Sequence, residues 1–94
     1  MPLTFEWDPG KDQSNWKKHR VSFEEASTLF GDPLSRTIGD PLHSFAGEER
    51  FVTIGLSQRR RLIVVVHCDR GQNIRIITAR RATAQERQTY ENET

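Results

Sequence analysis

The stretch RRRLIVVVHCDRGQNIRIITARR, residues 59–81, constrains the fold more than any other part of this 94-residue chain. Residues 61–68 are apolar on both faces, the pattern of a strand at the centre of a sheet. Asp69, Arg70, Gly71 and Gln72 supply a tight polar turn. Residues 74–79 then return as the antiparallel partner. A chain of this length holds one domain, residues 1–94, with a core large enough for a sheet and a few helices packed on it.

The same stretch is loaded with arginine. Residues 51–81 carry seven Arg against one acid, Asp69, for a local charge of +6. Residues 1–50 come to −3 and residues 82–94 to −2, so the whole-chain +1 hides a segregated distribution. Arg supplies eleven of the fourteen bases, and its planar fork grips phosphate in two places where Lys acts as a point charge. A small sheet with one cationic stretch fits nucleic acid. Surface Arg also serves solubility and ion pairing, so composition leaves both readings open.

Other classes drop out quickly. The longest aliphatic run, residues 62–66, falls far short of the roughly 20 residues of a membrane span. The opening MPLTFEWDPGK lacks the charged start and apolar core of a secretory signal. One cysteine, Cys68, excludes an internal disulfide and a multi-cysteine zinc site. A cytosolic protein without membrane attachment is expected.

Along the chain, Thr4, Phe5, Glu6 and Trp7 alternate as a short edge strand. Asp8-Pro9 offers an N-cap followed by proline at the first helical position, and the helix over 9–19 has little but Trp16 to bury. Ser22-Phe23-Glu24-Glu25 reads as a capping box, with Val21 placed to staple onto Ala26. The helix from there to Phe30 puts Phe23, Ala26, Leu29 and Phe30 on one face, and Gly31-Asp32-Pro33 stops it. Strands follow over 34–38 and 50–56, then the central hairpin. Thr83-Ala84-Gln85-Glu86 opens a short last helix carrying Arg87 and Tyr90, and the final residues are expected to fray. The class is α+β: an antiparallel sheet, two N-terminal helices and a short C-terminal helix.

No motif for a cofactor or metal emerges. His19, His43 and His67 are far apart, and none are paired at i, i+4. The glycines are isolated, so there is no phosphate-binding loop. Cys68 and His67 end a buried strand, where a small core residue and a hydrogen-bonded histidine suffice. Metal-free phosphoryl chemistry remains. It needs a group to activate the 2′-hydroxyl of RNA, one to protonate the leaving oxygen, and cations to hold the charge gathering on phosphorus. Strand parity sorts the arginines. Arg75, Ile77 and Ala79 share one face while Ile74, Ile76, Thr78 and Arg80 share the other, so Arg75 and Arg80 point oppositely unless a bulge intervenes. Arg61, Ile63, Val65 and His67 share a face.

The ordered set Phe5-Glu6-Trp7-Asp8-Pro9, Lys11, Asn15, Lys18-His19 and Val21 to Ala26 resembles the BrnT family of bacterial toxins. The resemblance continues through Phe30, Asp32-Pro33, Asp40, His43-Ser44, Glu48-Glu49-Arg50 and Ile54-Gly55. It then takes in Arg61-Leu62, Val64-Val65-Val66, Arg75-Ile76-Ile77, Ala79-Arg80, Ala82-Thr83, Glu86-Arg87 and Tyr90-Glu91. It implies a RelE-like fold and a metal-independent endoribonuclease that blocks translation, with no cofactor. The implied partner is a BrnA-like antitoxin, a DNA-binding protein resembling ribbon-helix-helix repressors. That partner would mask the toxin and, in complex with it, bind operator DNA. On this resemblance Arg75 and Arg80 are expected to meet phosphate or the transition state, supported by Arg61 and Arg50. Lys18, His19 and Glu49 are expected to move or position protons, and Tyr90 to stack on a base or pack the last helix. Two positions depart from the family pattern: Arg20 and Arg60 stand where Gly is usual. The competing reading is a non-catalytic binding module or corepressor that holds an acidic partner or nucleic acid.

Overall fold

The elements are β1 (Thr4–Glu6), α1 (Pro9–His19), α2 (Phe23–Thr28), β2 (Arg36–Gly39), β3 (Arg50–Leu56), β4 (Leu62–Arg70), β5 (Asn73–Arg81) and α3 (Ala84–Asn92). Single 3-10 turns lie at Leu29–Gly31 and Pro41–His43. The computed structural model describes residues 3–45 and 47–92, and the fraying expected of Glu93 and Thr94 concerns residues outside them. The strands form one sheet in the order β1-β5-β4-β3-β2, which puts β4 at the centre as its two-sided apolar pattern requires. The α+β class holds, with one correction to the sheet. β2 to β5 are antiparallel, but β1 pairs parallel with β5, Phe5 opposite Ile74. The chain leaves β1 for the helices, and the vacant position it fills runs in the same direction as β5.

Local chemistry sets most boundaries. The Asp8 carboxylate accepts from the Lys11 amide at 2.9 Å, and Ser22 Oγ accepts from the Glu25 amide at 3.0 Å. At α3 the box closes both ways: Thr83 N–H donates to Glu86 Oε1 at 2.8 Å and Glu86 N–H to Thr83 Oγ1 at 3.1 Å. The reciprocal bond expected at α2 is absent, because the Glu25 carboxylate turns inward to Ser57 and Arg61 instead. Val21, Phe23, Ala26 and Leu29 are fully buried against Ile63, Val65, Ile76 and Ala79 of the sheet. Gly55 is required there, since a Cβ would lie 3.0 Å from Ser35 Cβ and 3.3 Å from the Leu29 carbonyl oxygen.

Turn geometry explains the departures at Arg20 and Arg60. Both are left-handed, at φ 58° and 63°. Arg20 ends α1, its N–H donating to the Trp16 carbonyl at 2.8 Å. Arg60 closes the β3–β4 loop, where Arg60 N–H reaches the Ser57 carbonyl and Ser57 N–H the Arg61 carbonyl, each at 2.8 Å. That is a three-residue hairpin whose last position favours glycine. The β4–β5 turn is tighter than expected: the strands run on to Arg70 and Asn73, leaving Gly71 and Gln72, with Gly71 at φ 60°.

The anchor of α1 is Asn15, where the sequence pointed to Trp16. Trp16 is 42% exposed, under the Arg20 guanidinium at 5.7 Å. β1 covers only the first part of β5, so the peptide groups of Ala79 on the outer edge need partners. Asn15 supplies them: Ala79 N–H donates to its Oδ1 at 3.1 Å, and its Nδ2 donates to the Ala79 and Val21 carbonyls, each at 2.8 Å. One side-chain amide stands in for a strand.

Candidate functional site

Val66 opposes Thr78 while His67 opposes Ile76, so Ile77 is an extra residue in β5. This bulge overturns simple alternation. Ile76 and Ala79 both face α1 and α2, fully buried, while Arg75 opposite Cys68 and Arg80 opposite Val64 share the other face. The two arginines sit ~15 Å apart along the strand.

In-register pairing then builds rows across that face. Arg50 opposes Cys68, Cys68 opposes Arg75, and Arg75 opposes Glu6, so four strands contribute to one row. A second row runs Arg36, Ile54, Val64 and Arg80. Arg50 stacks its guanidinium over the Phe45 ring at 5.4 Å, and its Nε is buried without a hydrogen-bond partner. Cys68 Sγ donates to Glu48 Oε1 at 3.2 Å. Burial pushes this thiol up, and the Glu48 carboxylate adds to the effect, so it is a poor nucleophile. Arg75 is half-buried and bound to no carboxylate among the described residues.

Arg80 is held differently. Its two terminal nitrogens donate to the two Glu86 oxygens, each at 2.8 Å. That bond above all holds the Glu86 carboxyl at about 2, against the pull of burial. A phosphate reaching Arg80 meets a guanidinium already oriented, with one edge occupied.

Lys18 and His19, at the end of α1, border a depression shared with Ile77 and Thr78. They therefore flank the stretch of β5 that lies between Arg75 and Arg80. Their position follows from the Asn15 anchor, which sequence reasoning passed over because a polar residue on so polar a helix reads as solvated.

The remaining expected residues lie elsewhere. Arg61 faces α2 on the opposite side of the sheet, as its parity with Ile63 predicts. Its Nε donates to Glu25 Oε2 at 2.9 Å and its Nη2 to Glu25 Oε1 and the Arg20 carbonyl. Burial pushes Glu25 up, but the bonds from Arg61 and Ser57 and the charges of Arg61 and Arg59 outweigh it, and the carboxyl sits below its ordinary value. Arg61 is thus not beside Arg75 and Arg80; it neutralises a buried acid. Glu49 is exposed at the start of β3, beside a shallow depression formed with Ser44, Phe45 and Glu48. Tyr90 donates its hydroxyl to Asp32 Oδ2 at 2.6 Å, tying α3 down across the edge of the sheet. Burial and Asp32 push that hydroxyl up to about 12. His67 is a core residue, its Nε2 2.7 Å from Thr53 Oγ1 and its ring between Phe30 and Phe51. Among the described residues no three of His, Cys, Asp and Glu come together in a way that would hold a metal ion.

A small α+β domain with arginine rows on one sheet face has relatives of known activity. Residues 7–86 match the model of the family described as ribonuclease toxin, BrnT, of type II toxin-antitoxin systems, and the chain belongs to that family. The 1.1 Å crystal structure of the Brucella abortus ribonuclease toxin BrnT is similar to it, with a TM-score of 0.65 at 21% identity over 87% of this chain and 99% of that one. No curated protein matches the sequence. The family match ends at Glu86, so Tyr90 and the second half of α3 lie beyond it.

Proposed function

We propose that this ribonuclease toxin cuts RNA without a metal ion, on the sheet face that carries Arg75 and Arg80. The observation that supports this most is the bulge at Ile77, which turns both arginines to one side; Lys18 and His19 border β5 at Ile77 and Thr78, between the two. In this reading the 2′-oxygen attacks phosphorus, the bond to the 5′-oxygen breaks, and a 2′,3′-cyclic phosphate leaves with a 5′-hydroxyl end. In the same reading Lys18 and His19 take the proton from the 2′-hydroxyl and return one to the leaving oxygen. Arg75 holds the charge on the phosphoryl oxygens, and Arg80 and Arg50 bind flanking phosphates. Glu49 acts beside Arg50, orienting the strand that reaches it. Arg61 contributes by holding the loop that bears it, and Tyr90 by seating α3. A BrnA-like antitoxin neutralises the toxin by covering this face, and their complex represses its own operator. An RNA target places the action in the cytoplasm; among the described residues no helix is long and apolar enough to cross a membrane.

A labelled RNA incubated with the purified chain in excess EDTA tests the proposal. Cleavage that persists in EDTA and leaves cyclic phosphate ends is expected. Tight binding with no cleavage, with or without added magnesium, would instead establish a binding module or corepressor.

A further inference from the structure

β2 is an open edge. All four of its residues are exposed, and among the described residues no strand pairs with its outer side. Natural edge strands are blunted by lysine, proline, bulges or a covering element, because unpaired peptide groups recruit other chains. β2 is short and carries one charge, Arg36, but it has no proline or bulge and no covering strand among the described residues, and its surroundings are unusually apolar. Of the six large hydrophobic residues exposed in the described chain, four fall within residues 34–45: Leu34 at 50%, Ile38 at 67%, Leu42 at 90% and Phe45 at 58%. Ile38 also continues, with Val52, Ile54, Val64 and Tyr90, the wall of a groove of about 390 Å³ between β2, β3 and α3. That groove opens onto the arginine face.

We propose that this edge is where the antitoxin docks, adding an extended segment of alternating apolar and acidic residues to β2 as a sixth strand. The inference rests on neutralisation by an antitoxin, as proposed above, and says where and how it happens. Main-chain pairing to β2 gives the affinity, and apolar side chains entering the groove beside Ile38 give the register. The acids follow from charge: Arg50, Arg75 and Arg80 lie in rows across the face onto which the groove opens, and Arg36 belongs to β2 itself. RNA makes poor use of an unpaired strand edge and an aliphatic groove. A second copy of the chain would set two cationic faces side by side in one continuous sheet, which costs repulsion that an acidic segment relieves.

The test uses the purified toxin and the antitoxin encoded beside it in the same operon. Ile38→Lys and Leu42→Lys, both at exposed sites, should weaken antitoxin binding on the order of 30-fold or more while free toxin cleaves RNA at the unaltered rate. Hydrogen exchange of the wild-type complex should show new protection at residues 36–39. Unaltered affinity of both variants together with no protection at 36–39 would overturn the docking site and leave neutralisation standing. An antitoxin that fails to bind the wild-type toxin would overturn neutralisation itself, and this inference with it. Wild-type toxin that is dimeric alone and made monomeric by Ile38→Lys would assign the edge to a second copy instead.

Discussion

Arginine does three separate jobs in this chain, and a single count of basic residues cannot tell them apart. Arg61 is bound on three sides and pairs with Glu25, whose side chain is 4% exposed. Removing it leaves the buried carboxylate with only Ser57 and the exposed Arg59, 3.7 Å away, a loss of about 2–3 kcal/mol. Arg61→Ala should therefore lower the midpoint of thermal and urea unfolding sharply, whereas Arg75→Ala should cost about 0.5 kcal/mol or less. Equal stability of the two variants would contradict the division. Arg60 does the third job, a backbone one, at φ 63°. A residue with a Cβ costs about 1–2 kcal/mol there, partly offset by the freedom glycine adds to the unfolded chain. Arg60→Gly should raise the melting temperature by a few degrees, and a lower one would show that its side chain matters more than its strain. These positions were legible as departures from the family's glycines. The roles of Arg61 and Arg75 were not, since both are arginines in apolar strands until their partners are placed.

At the level of elements, the caps were readable because each relies on residues adjacent in sequence: Asp8-Pro9, Ser22 and Thr83. The bulge was not. Ile76 and Ile77 are equally apolar, so either phase of β5 satisfies the pattern, and the choice is made by Val65 and His67 across the strand. Asn15 was hidden for the same reason, its partner Ala79 lying 64 positions away. The element-scale prediction follows from that bond. Asn15→Ala leaves the N–H and C=O of Ala79 without partners, which costs about 2 kcal/mol or more. The Ala79 amide, protected in the wild type, should then exchange faster, and RNA cleavage should slow as Lys18 and His19 loosen from β5. Slow exchange retained at Ala79 would mean that the edge is closed by something else.

For the whole molecule, several titrating groups set one acid limit. Burial raises Glu25 and Asp32, yet their hydrogen bonds from Arg61 and Ser57, and from Tyr90, Leu56 and Leu34, bring both below their ordinary values. Glu86 lies at about 2, held by Arg80. Such groups stabilise the fold above their unfolded values of 3.8 to 4.5 and lose that contribution as pH falls through the folded ones. Burial lowers His67 from 6.5 despite the nearby Asp69, so the unfolded chain takes up that proton first. Stability measured by urea should thus hold near pH 8, begin to fall below about pH 6.5 and fall more steeply below about pH 4.5. A maximum at pH 5 would contradict this assignment. The same whole-molecule view explains why the charge pattern pointed to a surface without defining it. The sequence segregates cations into residues 51–81, but only the folded sheet divides them between two faces. The most direct test compares single-turnover RNA cleavage, in EDTA, by Arg75→Ala and Arg81→Ala, two arginines of one strand that the bulge places on opposite faces. The Arg75 variant should lose about 100-fold to 1,000-fold in rate and the Arg81 variant less than about threefold. Equal losses, or an Arg75 variant that cleaves normally, would show that RNA does not meet this face.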